Sequence, residues 1–303
     1  MPNLKVKLGR LELQNPVMPA SGTFGYGEEY ASLIDLNKLG AIVTKGVSLA
    51  PQEGNPPPRI RETRGGMLNS IGLQNVGLEA FAQQKLPFLH RFKVPIIVNF
   101  FGFTIDEYAE VAMRLSALEG VAALEANLSC PNIKAGGIYF GVGSRSVAQI
   151  TKKLVKSTNL AIIIKLSSQV SNIKEICLAA EGEGAEAVTL INSIPAMAID
   201  LDRKRPVLGG VTGGLSGPAI KPIALKAVWE AASAVKIPIV GVGGIMDYRD
   251  ALEFLVAGAM AVQVGTANFI NPTTMVEIID GIDAFLTQRG IENIREIIGS
   301  LKL

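Results

Sequence analysis

Ala161-Ile162-Ile163-Ile164-Lys165-Leu166-Ser167 and Ala187-Val188-Thr189-Leu190-Ile191-Asn192, with Asn172–Glu183 between them, carry the reading of the fold. Both flanks are short, nearly continuous apolar runs without strict alternation, which suits parallel strands covered on two faces. The stretch between them has a helical pattern, so the whole is a strand–helix–strand unit. Working outward, the same rhythm continues in both directions. The further predicted strands are Pro16–Ala20, Ala41–Val47, Pro95–Phe100, Ala123–Ser129, Pro238–Val242 and Ala261–Gly265. Predicted helices lie at Ile105–Glu119, Val147–Thr158, Pro218–Val235 and Tyr248–Ala259. Leu225, Val228, Ala232 and Val235 recur at three- and four-residue steps and predict the buried face of one of them. Eight strands each followed by a helix predict a (β/α)8 barrel, the TIM barrel. A doubly wound sheet is the alternative, and consecutive units without a linker favour closure. One TIM-barrel domain over residues 1–303 is expected.

The composition narrows the chemistry. Among 303 residues, 29 Lys+Arg stand against 27 Asp+Glu, a net charge of +2. That balance gives no electrostatic case for nucleic acid or an anionic membrane as partner. A single histidine, His90, disfavours Ser-His-Asp catalysis and histidine-rich metal sites. Cys130 and Cys177 are the two cysteines, too few for a disulfide framework or a four-thiolate zinc site, and no metal is expected. The apolar runs fall far short of the ~18 residues a membrane span needs. Met1-Pro2-Asn3-Leu4-Lys5-Val6-Lys7 lacks the apolar segment of a signal peptide, so the expected location is the cytoplasm. Glycine is in excess, 32 residues or about 10.6%, against roughly 7% usually.

Three connections break the short-loop rhythm: Ser48–Gly77, Pro131–Ser146 and Ile194–Gly217. Each follows a strand, so in a barrel all three would gather over the C-terminal face as lids or binding loops. The strands themselves end in polar residues: Ser21, Lys45 with Gly46, Asn99, Asn127, Lys165, and Asn192 with Ser193. A lone lysine at a strand end is ordinarily a solvated residue. Two lysines and three asparagines in that one position point to a site at the barrel mouth. The last two strands run into Gly243-Gly244 and Gly265-Thr266 just before helices. Exposed backbone N–H groups there suit a phosphate; the plainer reading is turn chemistry alone. Neither run has the P-loop or Rossmann spacing.

Cys130 follows the fourth strand in Asn127-Leu128-Ser129-Cys130-Pro131-Asn132, where a partly exposed thiol can act as a base or nucleophile. Cys177, in Ile176-Cys177-Leu178-Ala179-Ala180, is expected in the core, and His90 on the surface.

With these residues in view, the sequence resembles dihydroorotate dehydrogenase along essentially its whole length. The motifs that carry the resemblance are Asn69-Ser70-Ile71-Gly72-Leu73-Gln74-Asn75, Asn127-Leu128-Ser129-Cys130-Pro131-Asn132, and Gly213-Gly214-Leu215-Ser216-Gly217-Pro218-Ala219-Ile220-Lys221-Pro222. The wording Leu215-Ser216-Gly217-Pro218-Ala219 looks like class 1B. Class 2 members use a serine base and an N-terminal extension, which this chain does not match. Val76 departs from the proline common after Gln-Asn.

The resemblance implies oxidation of (S)-dihydroorotate to orotate on FMN, in de novo pyrimidine (UMP) biosynthesis. It implies Cys130 as the base at C5. Lys45, Asn69, Ser70, Ile71, Gly72, Leu73, Asn127, Asn192 and Ser193 would hold the substrate. Ser21, Lys45, Gly46, Asn99, Asn127, Lys165, Ile191 and Gly217 would hold the flavin, with its phosphate on Gly243, Gly244, Gly265 and Thr266. It also implies an electron-transfer partner carrying FAD and [2Fe–2S], two of each chain forming a heterotetramer that reduces NAD+. This chain's two separated cysteines cannot ligate such a cluster. A mean hydropathy of +0.33 is compatible with apolar surface buried between subunits. Three rivals remain at this point. They are a class 1A homodimer using fumarate, a phosphate-binding barrel lyase with Lys45 or Lys165 as Schiff base, and a non-enzymatic small-molecule binder.

Overall fold

The strand–helix–strand unit forms as read. In the computed structural model, Ala161–Leu166 and Ala187–Leu190 pair in parallel, with Ile163 opposite Ala187 and Lys165 opposite Thr189. The structure describes residues 1–128, 141, 143–170 and 172–303. Numbered along the chain, the barrel strands are β1 (Val17–Pro19), β2 (Ile42–Val43), β3 (Ile96–Phe100), β4 (Val121–Asn127), β5 (Ala161–Leu166), β6 (Ala187–Leu190), β7 (Ile239–Val242) and β8 (Ala259–Val264). They pair in parallel in the order β1-β8-β7-β6-β5-β4-β3-β2. The seam between β1 and β2 is bridged by the Gly40 N–H donating to Val17 O at 2.8 Å. This is the (β/α)8 TIM barrel.

Every residue of β3, β5, β6 and β7 is buried, the reason these runs are mostly apolar rather than alternating; Asn99, Lys165 and Thr189 are the polar exceptions. The longer helices are α1 (Ile105–Ser116), α2 (Ser144–Ser157), α3 (Ile173–Gly182), α4 (Lys221–Ala232), α5 (Tyr248–Val256) and α6 (Thr274–Gln288). Side-chain caps set several starts: Thr104 accepts from the Glu107 N–H, Asn172 from Glu175, and Asp247 from Arg249 and Asp250.

Element ends move by a few residues from expectation, and two differences matter. The predicted strand Ala41–Val47 is regular only over Ile42–Val43; Thr44 still donates to Ile97 O at 3.0 Å, Lys45 turns away to donate to Gly25 O, and Val47 rejoins by one bridge to Phe100. In α4 the buried stripe is Ala224, Ala227, Val228 and Ala231, not one running through Leu225 and Ala232, which are only half-buried. Alanines on the inner face let the helix lie close to the strands, and the bulkier Leu225 is displaced to its flank.

The Ser48–Gly77 and Ile194–Gly217 connections pair with each other. Ile194–Ala196, Gly213–Ser216, Gly66–Asn69 and Ile60–Thr63 form a four-stranded antiparallel sheet in that order. Most of the Pro131–Ser146 connection, including Gly136 and Gly137, lies outside the described residues. An N-terminal hairpin, Val6–Leu8 with Leu11–Leu13, sits at the opposite end of the barrel, where Arg10 Nε donates to Glu186 Oε1 at 2.7 Å.

Candidate active site

The floor of the site is a buried polar cluster inside the barrel. Glu125 of β4 is wholly buried, and its carboxylate accepts from side chains on three other strands. Asn99 Nδ2 of β3 donates at 2.7 Å, Thr189 Oγ1 of β6 at 2.8 Å and Gln263 Nε2 of β8 at 2.6 Å. Lys165 Nζ stands 3.5 Å from the same carboxylate, 3.0 Å from Gln263 Oε1 and 3.4 Å from Ser21 Oγ. A buried ion pair holds only when its remaining donors and acceptors are satisfied, and this cluster satisfies them.

The sequence reading reached Asn99, Lys165 and Ser21 but missed Glu125, Thr189 and Gln263. All three were visible as polar residues inside apolar strands, in Leu124-Glu125-Ala126, Val188-Thr189-Leu190 and Val262-Gln263-Val264. Reading only the strand ends passed over them.

Above the floor, the carboxamides of Asn127 and Asn192 meet, Asn192 Nδ2 donating to Asn127 Oδ1 at 3.4 Å. Tyr108 OH donates to Asn127 O at 2.7 Å and pins the end of β4. Asn192 Oδ1 also accepts from the Ser193 N–H at 2.8 Å. Ile191 is joined to Leu190 by a cis peptide bond. Asn69 reaches the site from the antiparallel sheet, where its Nδ2 donates to Gly214 O at 3.2 Å. Ser70, Ile71, Gly72 and Leu73 continue from it along the wall. Lys45, beside Gly46, is half-buried, and among the described residues its ammonium has no hydrogen bond or ion pair. Burial pushes its pKa below the ordinary lysine value; Glu29 opposes that shift and Arg59 adds to it.

On the far side, Gly217, Gly243, Gly244, Gly265 and Thr266 come together. Gly244 has φ +75° and a Cβ there would fall 2.8 Å from Lys221 N, so only glycine fits that corner. Among the described residues, the backbone N–H groups of Gly243, Gly244, Gly265 and Thr266 donate to no protein acceptor. Thr266 Oγ1 donates to Ser216 Oγ at 2.8 Å.

One cavity of about 760 Å³ joins these parts, and every predicted site residue within the described chain lines it. Cys130 lies outside the described residues. Cys177 is buried in α3, where burial pushes its thiol up to about 12, and His90 is exposed with Nε2 3.0 Å from Glu119 O.

The family model for dihydroorotate dehydrogenase matches residues 3–286. The chain belongs to the dihydroorotate dehydrogenase family. It is therefore an oxidoreductase. Its relatives include proteins of Trichlorobacter lovleyi and Thermodesulfovibrio yellowstonii, both 57% identical over 301 and 302 residues. A Thermoanaerobacter protein is 54% identical over 301 residues. At least 99% of each chain is covered in all three pairs, and all three are named dihydroorotate dehydrogenase B (NAD(+)), catalytic subunit. Val76, at the position where a proline is common in the family, packs half-buried against the core, outside the residues that line the cavity. Among the described residues no helix is long and apolar enough to cross a membrane.

Proposed function

We propose that this chain oxidises (S)-dihydroorotate to orotate with FMN, as the catalytic subunit of an NAD+-linked assembly in pyrimidine (UMP) synthesis. Residues 1–303 would act as one catalytic domain. The observation that carries the reading is the single cavity with a buried lysine on its floor, asparagine carboxamides on its wall and undonated N–H groups in one corner.

FMN fits this donor set. The volume lies in the range of cofactor pockets. The N–H groups of Gly243, Gly244, Gly265 and Thr266 suit a phosphate dianion. Lys165 suits the pyrimidine edge of a flavin, where reduction builds negative charge. Ser21, Gly46, Asn99, Ile191 and Gly217 would complete the cradle. When bound, FMN accepts the hydride equivalent leaving C6 of the substrate.

The chain's own residues account for the rest. Lys45, which lacks an ion-pair partner among the described residues, would receive the substrate carboxylate. Asn69, Asn127 and Asn192 can each donate and accept, matching the alternating N–H and C=O groups of a dihydropyrimidine. Ser70 to Leu73 would add backbone contacts and Ser193 a hydroxyl. Cys130, placed by the sequence just past β4, would take the C5 proton, since a thiol with an ordinary pKa of about 8.5 titrates near working pH. The electrons would leave through a partner chain bearing FAD and [2Fe–2S], in a heterotetramer of two catalytic and two electron-transfer chains in the cytoplasm. The names of the relatives favour this over the fumarate-linked form and over a Schiff-base lyase.

Purified protein is expected to be yellow, with noncovalent FMN that bleaches when dihydroorotate is added without oxygen. A colourless chain that takes up no FMN overturns the reading. Turnover with fumarate by the isolated chain would point to the class 1A form instead. Cys130→Ser is expected to keep FMN and slow its reduction about 10²–10⁴-fold, recovering as pH rises. An unchanged stopped-flow rate removes Cys130 from the base role.

A further inference from the structure

We infer that Glu125 is a positioning residue for Lys165: its carboxylate fixes the ammonium on the cavity floor and compensates its charge at the site where a flavin would bind. The inference rests on the flavin reading above. Glu125, Thr189 and Gln263 do not line the cavity, whereas Lys165, Ser21 and Asn99 do. Whatever Glu125 contributes to a ligand must therefore pass through the side chains it holds.

The hydrogen bonds show how. Gln263 bridges the pair, its Nε2 donating to Glu125 Oε2 at 2.6 Å while its Oε1 accepts from Lys165 Nζ at 3.0 Å. That double contact permits only one orientation of the carboxamide. It also explains how an ammonium 3.5 Å from the carboxylate is nonetheless fixed. Thr189 and Asn99 occupy the remaining acceptor positions of Glu125 at 2.8 and 2.7 Å. The carboxylate is thus tied to β3, β6 and β8 at once. Lys165 keeps Ser21 Oγ, at 3.4 Å, as its contact toward the cavity rim.

The electrostatic consequence has a definite sign. With Glu125 present, the floor carries one positive and one negative group, and its field on the flavin is that of a dipole. With Glu125→Gln the shape is kept and the negative charge is lost. The new carboxamide fits with its Nε2 toward Asn99, whose amide inverts to accept, and its Oε1 toward Thr189 and Gln263, which keeps its orientation. Lys165 then acts uncompensated, and it favours the negatively charged reduced flavin over the neutral oxidised one.

Glu125→Gln is expected to retain FMN and to bind reduced flavin at least about tenfold more tightly relative to oxidised flavin, a rise of about 30 mV in two-electron midpoint potential. A wild-type potential with a wild-type FMN dissociation constant overturns the inference. A second measurement needs neither flavin nor the Glu125→Gln single variant. Lys165→Met leaves Glu125 unpaired, so the flavin-free double variant Glu125→Gln/Lys165→Met should unfold at higher urea than Lys165→Met alone. Equal midpoints would show that the two residues are not coupled and would also overturn it. Failure of wild-type protein to take up FMN tells against the flavin reading, while the urea comparison still judges the pair.

Discussion

Lys45 and Lys165 stand at the ends of β2 and β5, face the same cavity and are both withdrawn from solvent. Their surroundings differ. Lys165 is held by Glu125, Gln263 and Ser21 on the barrel floor. Lys45 lies where the second strand leaves its ladder early, with no hydrogen bond or ion pair to its ammonium among the described residues. A compensated lysine is prepaid in structure: it keeps its place whether or not a ligand is bound. An uncompensated, desolvated lysine gains most when an anion arrives. Under the proposed function, the same residue type at equivalent barrel positions would serve two tasks, a fixed field at the flavin site and recognition of a carboxylate.

Removing each lysine tests that contrast. The largest effect is expected for Lys165→Met, which strands a buried carboxylate and should lower folding stability by about 3–5 kcal/mol in urea denaturation. A loss below about 1 kcal/mol would break the comparison, because it would mean that Glu125 does not need its partner. Lys45→Met removes a desolvated charge without an ion pair and should cost no folding stability. It should instead weaken orotate binding about 10- to 100-fold, as loss of a charged hydrogen bond of about 1.5–3 kcal/mol implies. Calorimetric titration with orotate measures this, and undiminished affinity would take the carboxylate away from Lys45.

The smallest effect lies in pH. Burial lowers the folded-state pKa of Lys45, so between that value and the ordinary 10.5 the unfolded chain binds more protons. Stability therefore gains from this residue as pH rises through that window. Orotate affinity should change the opposite way, falling as pH rises through the lowered value because the ammonium is lost. Lys45→Met should flatten both trends. An orotate dissociation constant independent of pH from 7 to 10 in the wild type would show that the lysine charge is not what binds.

The βα rhythm was legible because strands covered on both faces are nearly continuous apolar runs, as β5 and β6 are apart from Lys165 and Thr189. The polar residues that end the strands were legible for the complementary reason: at a barrel mouth they leave the core. Polar residues within strands are harder to interpret. Glu125, in an apolar run, looks like an interruption until Asn99, Thr189, Lys165 and Gln263 arrive from four other strands to surround it. No periodicity along one strand contains that information. The helical stripe predicted for α4 was legible at Val228 and Val235 but not at Leu225 and Ala232, since which adjacent residues turn fully inward depends on how closely the helix can approach the sheet.

Local sequence thus determined the barrel, its polar rim, the glycine corner and the family to which the chain belongs, because each rests on residue types within a few positions of one another. Tertiary structure decided two things that local sequence could not. It paired the Ser48–Gly77 and Ile194–Gly217 connections into one antiparallel sheet, through backbone hydrogen bonds between segments about 145 residues apart, as in Gly214 with Asn69. It also distinguished the two lysines. Charge compensation depends on distances in space, and only the closed barrel brings Glu125 to Lys165 while leaving Lys45 without an ion pair among the described residues.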